Sequence, residues 1–280
     1  VRVMYMVGEL SRRLEDYENA TRFFSRVIEN QRVGGEAKLV DMAKEQWIFT
    51  ARWPLLRKLK FDTLREAVGL PLFVTRILDA GLEYIIAQTK EFQAVDVLLI
   101  HWGYGIGAAY ANGGRVMSSN IGGVCEVGHW KVPSAAQKRC KCGSTGCLET
   151  ESALWSIVPS LRKDYPDVPE EEELFAAYLR SHGEIVDHPV MRNAVKGMSR
   201  GIGMLFITLF PRRILVYGPF SMNPAVRNAL REEVKDILPG FVRSYFSLDF
   251  IDTGYRSEMF GSIRPLFRDA YRKRLIAGKT

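Results

Sequence analysis

The stretch from Glu126 to Glu149, EVGHWKVPSAAQKRCKCGSTGCLE, restricts this chain more than any other, because it gathers one histidine and three of the four cysteines. His129 is followed by ten residues, Cys140, one residue, Cys142, four residues and Cys147. One imidazole and three thiolates make a complete tetrahedral donor set for zinc. A closed set of that kind leaves no position for a water, so the ion would hold a loop and would not attack a substrate. Gly143 and Gly146 suit the reversal needed for the three sulfurs to meet one ion. Lys138, Arg139 and Lys141 offset part of the thiolate charge. The competing reading is buried or disulfide-bonded cysteines, but Cys140 and Cys142 are too close in sequence to pair well with each other.

The chain has 280 residues, 47% hydrophobic and 25% charged, enough for a sizeable core. No run approaches the ~20 apolar residues of a membrane span, and VRVMYMVGELSRR at the start lacks the pattern of a signal peptide. With so few cysteines, three of them clustered, the expected location is a reducing cytoplasm and no membrane. Lys and Arg exceed Asp and Glu by 39 to 32, a net +7, but they are spread along the chain without a basic arm. The excess therefore reads as a solvated surface and not as a nucleic-acid face.

Residues 1–52 read as a helical segment. Met6, Leu10 and Leu14 form one stripe and Ala20, Phe23, Phe24, Val27 and Ile28 another, giving a helical hairpin similar to a tetratricopeptide-type repeat. Gly34-Gly35 and Pro54 mark breaks, and from 53 to 280 the pattern becomes α/β. Strands are expected at LPLFVTRIL, Val95 to His101, Gly107 to Ala111, Arg115 to Ser118, Arg213 to Tyr217 and Leu248 to Ile251, with Asn112-Gly113-Gly114 as a hairpin turn. Helices are expected at Asp79 to Thr89, Ser152 to Arg162, Met191 to Phe210, after Asn223-Pro224 to Ile237, and at Met259 to Leu275. Asp167 to Glu173 reads as an acidic loop with helix N-terminal character. The order implies a mixed sheet covered by helices.

Two further groups carry chemistry. Gly103, Gly105 and Gly107 alternate directly after the strand that ends at His101, so backbone N–H groups there could approach a phosphate, although such turns also occur merely as turns. Glu126, His129 and Glu149 suit polyol recognition, since carboxylates accept from hydroxyls and a metal on one imidazole nitrogen leaves the other N–H as a directed donor.

These motifs resemble the ROK family, which groups bacterial sugar kinases with sugar-responsive transcriptional repressors. The similar segments are GLPLFV at 69–74, GYGIGAAYANG at 103–113, EVGHW at 126–130, CKCGSTGCLE at 140–149 and PRRILVYGP at 211–219. The resemblance implies an actin-like, ribonuclease-H-like ATPase fold, zinc on His129, Cys140, Cys142 and Cys147, and sugar contacts from Glu126, His129 and Glu149. In a kinase, nucleotide phosphate would meet the turn at 103–107. Family kinases also carry a D-x-G-x-T phosphate loop, which nothing before residue 53 provides, and an Asn-Asp pair whose Asp is the general base. Here Arg76-Ile77 stand at that pair, and Asp79 is the candidate base only if the turn is shifted. Gly218-Pro219-Phe220 puts bulk where the kinases have glycine.

The reading that follows is the effector-binding part of a ROK-type regulator, sensing a hexose or amino sugar beside structural zinc and not acting as an enzyme. It would be a dimer or tetramer, reaching DNA through a domain not evident in this sequence. The alternative is an ATP- and Mg2+-dependent sugar kinase with Asp79 as base. A third reading makes the N-terminal hairpin a partner-binding surface on a ROK-like scaffold.

Overall fold

Val97 to Trp102 form strand β1, VLLIHW, in which only His101 is not fully buried. A continuous apolar strand with both faces covered is what the centre of a sheet carrying helices on either side requires. β2 (Ile106–Asn112) returns antiparallel from it through the glycine turn, and β3 (Arg115–Val116) follows across Gly113-Gly114. β4 (Arg213–Tyr217) runs parallel to β1 on its other side, and β5 (Leu248–Phe250) runs parallel to β4. The sheet order is β3-β2-β1-β4-β5. This computed structural model describes residues 66, 67, 69, 75–117, 125–253 and 257–264. The expected helical hairpin and the expected boundary at residue 52 lie outside them.

Among the described residues the helices packed around the sheet include α1 (Ile77–Gln88), α2 (Glu149–Ser152), α3 (Leu154–Leu161), α4 (Glu172–Ser181), α5 (Pro189–Leu209) and α6 (Pro224–Ile237). Residues 257–264 are also helical. α5 carries the apolar stripe legible in the sequence: Met191, Val195, Met198, Ile202, Leu205 and Phe206 are all buried. It begins at a proline whose missing N–H is harmless in a first turn, His188 Nδ1 accepts from Val190 N at 3.3 Å, and Phe210 in the left-handed region followed by Pro211 stops it. Asn223 caps α6 by accepting from Ala225 N at 2.8 Å, while its Nδ2 donates to Leu179 O at 2.7 Å, tying α6 to α4.

Two expectations change. LPLFVTRIL is not a strand at its C-terminal end: Ile77 and Leu78 open helix α1, because the following residues through Gln88 continue a helical apolar pattern onto the sheet. The helix expected from Ser152 to Arg162 is two, broken at Ala153, whose extended backbone turns the chain. The acidic stretch expected as a loop with helix N-terminal character holds: Asp167 to Glu171 are non-helical, and Glu172 and Glu173 open α4, which buries Phe175, Ala176 and Leu179.

Candidate metal and ligand site

The loop after the 3-10 turn Val127–His129 folds back on itself as a short hairpin. Cys140 N donates to Ser144 O at 2.8 Å, Gly143 N to Cys140 O at 3.0 Å, and Gly146 N to Lys138 O at 2.9 Å. Gly143 and Gly146 take φ of 93° and 71°, a region that L side chains rarely enter, which is why glycine stands at both reversals. The result brings His129, Cys140, Cys142 and Cys147 together, with one donor atom from each lying within 4.8 Å of all the others. Cys142 Sγ and Cys147 Sγ are 3.8 Å apart, and Cys140 Sγ is 3.8 Å from His129 Nδ1. Bonds of ~2.3 Å to sulfur and ~2.0 Å to nitrogen at a tetrahedral ion would space neighbouring donors by roughly 3.6–3.8 Å. The donor set and its spacing therefore fit a divalent ion.

The thiols differ in how readily they ionise. Burial pushes Cys140 up to about 12, against a partial lowering by the Cys142 N–H. Cys142 moves down: burial opposes ionisation, but hydrogen bonds from the Ser144 N–H and the neighbouring thiols outweigh it, aided by Lys131. Lys131 Nζ donates to Cys147 Sγ at 3.6 Å and also reaches Ser144 Oγ and Thr145 O. Lys141 leaves the loop in the other direction and lies over the rings of Tyr104 and Trp155, at 4.5 and 4.8 Å from their centroids. It joins the metal loop to the glycine turn.

Glu126 and Glu149 flank His129 in different ways, and His129 N donates to Glu126 O at 3.1 Å. His129 turns Nδ1 toward the sulfurs, which leaves Nε2 away from them. Glu149 packs on Gly128, where an added Cβ would fall 2.9 Å from Glu149 Cγ. Its carboxylate is already engaged, Oε1 accepting from Ile106 N at 2.9 Å and Oε2 from Trp155 Nε1 at 3.3 Å. Glu126 has a half-exposed side chain and accepts from Arg76 Nη2 at 3.0 Å. The same guanidinium donates through Nη1 to Asp79 Oδ1 at 3.2 Å and to Ala108 O at 3.3 Å. Asp79 thus faces Glu126 across an arginine. Burial raises Asp79 to about 6, with Arg76 pulling the other way and Glu126 adding to the rise.

The glycines of the turn divide by role. Gly103 and Gly105 sit where an added Cβ would fall 2.5 Å from Glu172 Oε1 and 2.9 Å from Glu149 Oε1. Gly107 lies in β2 under α1, where a Cβ would meet Leu78 Cδ1 at 2.6 Å, so its smallness serves packing. Phe220 is fully buried, stacked on Trp102 with ring centroids 4.4 Å apart, so its bulk fills the core. Sequence reasoning missed Arg76 and Glu172 as site residues. Arg76 was visible as a departure at the family's Asn-Asp pair, whereas Glu172 gave no signal beyond its acidic run.

A mixed sheet in this order, with helices on its faces, is the arrangement of the actin-like fold. The ROK family model matches residues 33–259, and the chain belongs to the ROK family. A second model, described as an uncharacterized protein conserved in bacteria (DUF2225), matches residues 1–49. The chain is 22% identical over 186 residues to the DNA-binding transcriptional repressor Mlc of Escherichia coli K12, covering 61% of this chain and 45% of Mlc. It is 40% identical over 150 residues to the DNA-binding transcriptional dual regulator NagC of the same organism, covering 49% of this chain and 37% of NagC. The chain therefore spans about half or less of the length of these relatives. Among solved structures, the ROK family glucokinase of Streptomyces griseus, in complex with glucose and AMPPNP, superposes with a TM-score of 0.63 at 19% identity, covering 78% of this chain and 76% of that one. That likeness carries the fold. Among the described residues no helix is long and apolar enough to cross a membrane.

Proposed function

We propose that this chain is the effector-binding part of a ROK-type, sugar-responsive transcriptional regulator, binding a hexose or amino sugar beside a structural zinc ion. The observation that carries the reading is Arg76, ion-paired at once to Asp79 and Glu126. A general base must be free to take a proton from its substrate, and an aspartate held by a guanidinium at 3.2 Å is poorly placed to do so. The regulator relatives Mlc and NagC add weight from sequence.

His129, Cys140, Cys142 and Cys147 would hold zinc, which supplies rigidity to the loop and fixes the tautomer of His129. His129 Nε2 would donate to a sugar hydroxyl, while Glu126 and the lone pairs of Glu149 not used by Ile106 and Trp155 would accept. Binding would shift a dimer or tetramer arrangement read by a DNA-binding domain outside the ROK-like part.

The test combines metal analysis, calorimetry over hexoses and N-acetylhexosamines, and a coupled ATP assay. Near-stoichiometric zinc and sugar binding weakened on the order of tenfold or more by Glu126→Gln are expected, with no ATP turnover. A second reading, an ATP-dependent sugar kinase, draws on the raised value of Asp79, about 6, near where a general base works best. Turnover that Asp79→Asn abolishes would make the kinase reading the correct one.

A further inference from the structure

In open α/β sheets, ligands bind beyond the carboxyl ends of parallel strands. Here that place lies past β1 and β4, at the turn Gly103 to Gly107, whose backbone N–H groups are the donors a phosphate would need. Three of those donors are engaged within the chain. Gly103 N donates to Gly105 O at 3.1 Å, Tyr104 N to Glu172 Oε1 at 2.6 Å, and Ile106 N to Glu149 Oε1 at 2.9 Å. The second oxygen of Glu172 lies 3.1 Å from His101 Nε2. The close approach that glycine permits is itself taken up: a Cβ at residue 103 would fall 2.5 Å from Glu172 Oε1.

We propose that Glu172 is an internal stand-in for a phosphate group, filling the anion cradle of the Tyr104 N–H and the His101 ring, so that the crevice excludes nucleoside triphosphate and inorganic phosphate. Helix α4, which carries Glu172 in its first turn, is not free to lift away easily. Its Phe175 is buried edge-on to Phe220 at 5.2 Å between centroids, and Leu179 O accepts from the buried cap Asn223. An incoming phosphate would meet the Glu172 carboxylate at contact distance, with Glu170, Glu171 and Glu173 adding charge of the same sign. The residues of this crevice therefore do not fit the nucleotide that the fold class implies.

Exclusion of nucleotide from this crevice is read out separately from sugar or DNA binding. Mg-ATP and inorganic phosphate are titrated into the full chain and into Glu172→Ala, with folding checked by circular dichroism. The wild-type chain is expected to show no binding at millimolar ligand, and the variant a gain in affinity of about tenfold or more. Equal binding by both, or a folded variant that gains nothing, overturns the proposal. The 15N–1H resonance of Tyr104 in the wild-type chain decides independently of how the variant folds. It should stay in place as phosphate is added, and a saturable displacement overturns the proposal.

Discussion

Gly103 and Glu172 are fitted to each other: the carboxylate oxygen that accepts from the Tyr104 N–H occupies the space a side chain on residue 103 would fill, 2.5 Å from the site of its Cβ. His101 closes the same space from the other side at 2.6 Å. Gly103→Ala is expected to destabilise the chain by about 1–3 kcal/mol, as overpacking of a filled site does. In a double-mutant cycle by urea denaturation, Glu172→Ala should recover part of that loss, with a coupling of about 0.5–2 kcal/mol. Additive single effects would mean the two residues do not share the space.

Metal uptake should release protons. Thiols reach a zinc ion as thiolates, so filling a site of three cysteines at neutral pH is expected to liberate about two to three protons per ion. Calorimetry in buffers of different ionisation enthalpy measures the number. Stripping the ion with a chelator should lower the thermal midpoint, and Cys147→Ser should abolish stoichiometric retention. A chain that takes up zinc with no proton release would place the ion on other ligands.

Asp79 links stability to pH. Its value in the folded chain, about 6, stands above the ordinary 3.8, so the folded state holds more protons than the unfolded state between those limits. Stability contributed by this group therefore falls as pH rises through that window, by an upper bound of about 3 kcal/mol. Asp79→Asn removes the titration, so its stability relative to wild type should improve by about 1–3 kcal/mol between pH 4 and pH 7. Taking the difference between variant and wild type at each pH isolates the effect, because any loss of zinc at the lower pH is common to both. Arg76→Gln should move the window further up, because Arg76 holds the Asp79 value down.

Phe220 bridges Trp102, stacked at 4.4 Å, and Phe175, edge-on at 5.2 Å. Phe220→Ala is expected to cost about 3–5 kcal/mol, since it deletes a fully buried ring from the core. A loss below ~1 kcal/mol in chemical denaturation would contradict that packing. The prediction separates a core role for this residue from one in a ligand crevice.

Much of the molecule is written locally. The strand at Arg213 to Tyr217 and the helix from Pro224 to Ile237 can be read from the sequence because a buried apolar run, Asn223 as cap and Pro224 at the first helical position all act within a few residues. The metal loop is legible for a similar reason: glycines at 143 and 146 and cysteines at 140, 142 and 147 form the hairpin through contacts inside the one stretch from His129 to Cys147.

What sequence alone settles is the identity and spacing of the four candidate metal ligands, the period of α5 and the residues at the chain's turns. The tertiary structure decides what meets across long separations: Arg76 with Glu126, 50 positions on, and Tyr104 with Glu172, 68 positions on. No local pattern could show that the glycine turn is closed by the chain's own carboxylates. A charge's partner depends on how helices dock on the sheet, and that docking is driven by buried surface distributed over the whole fold.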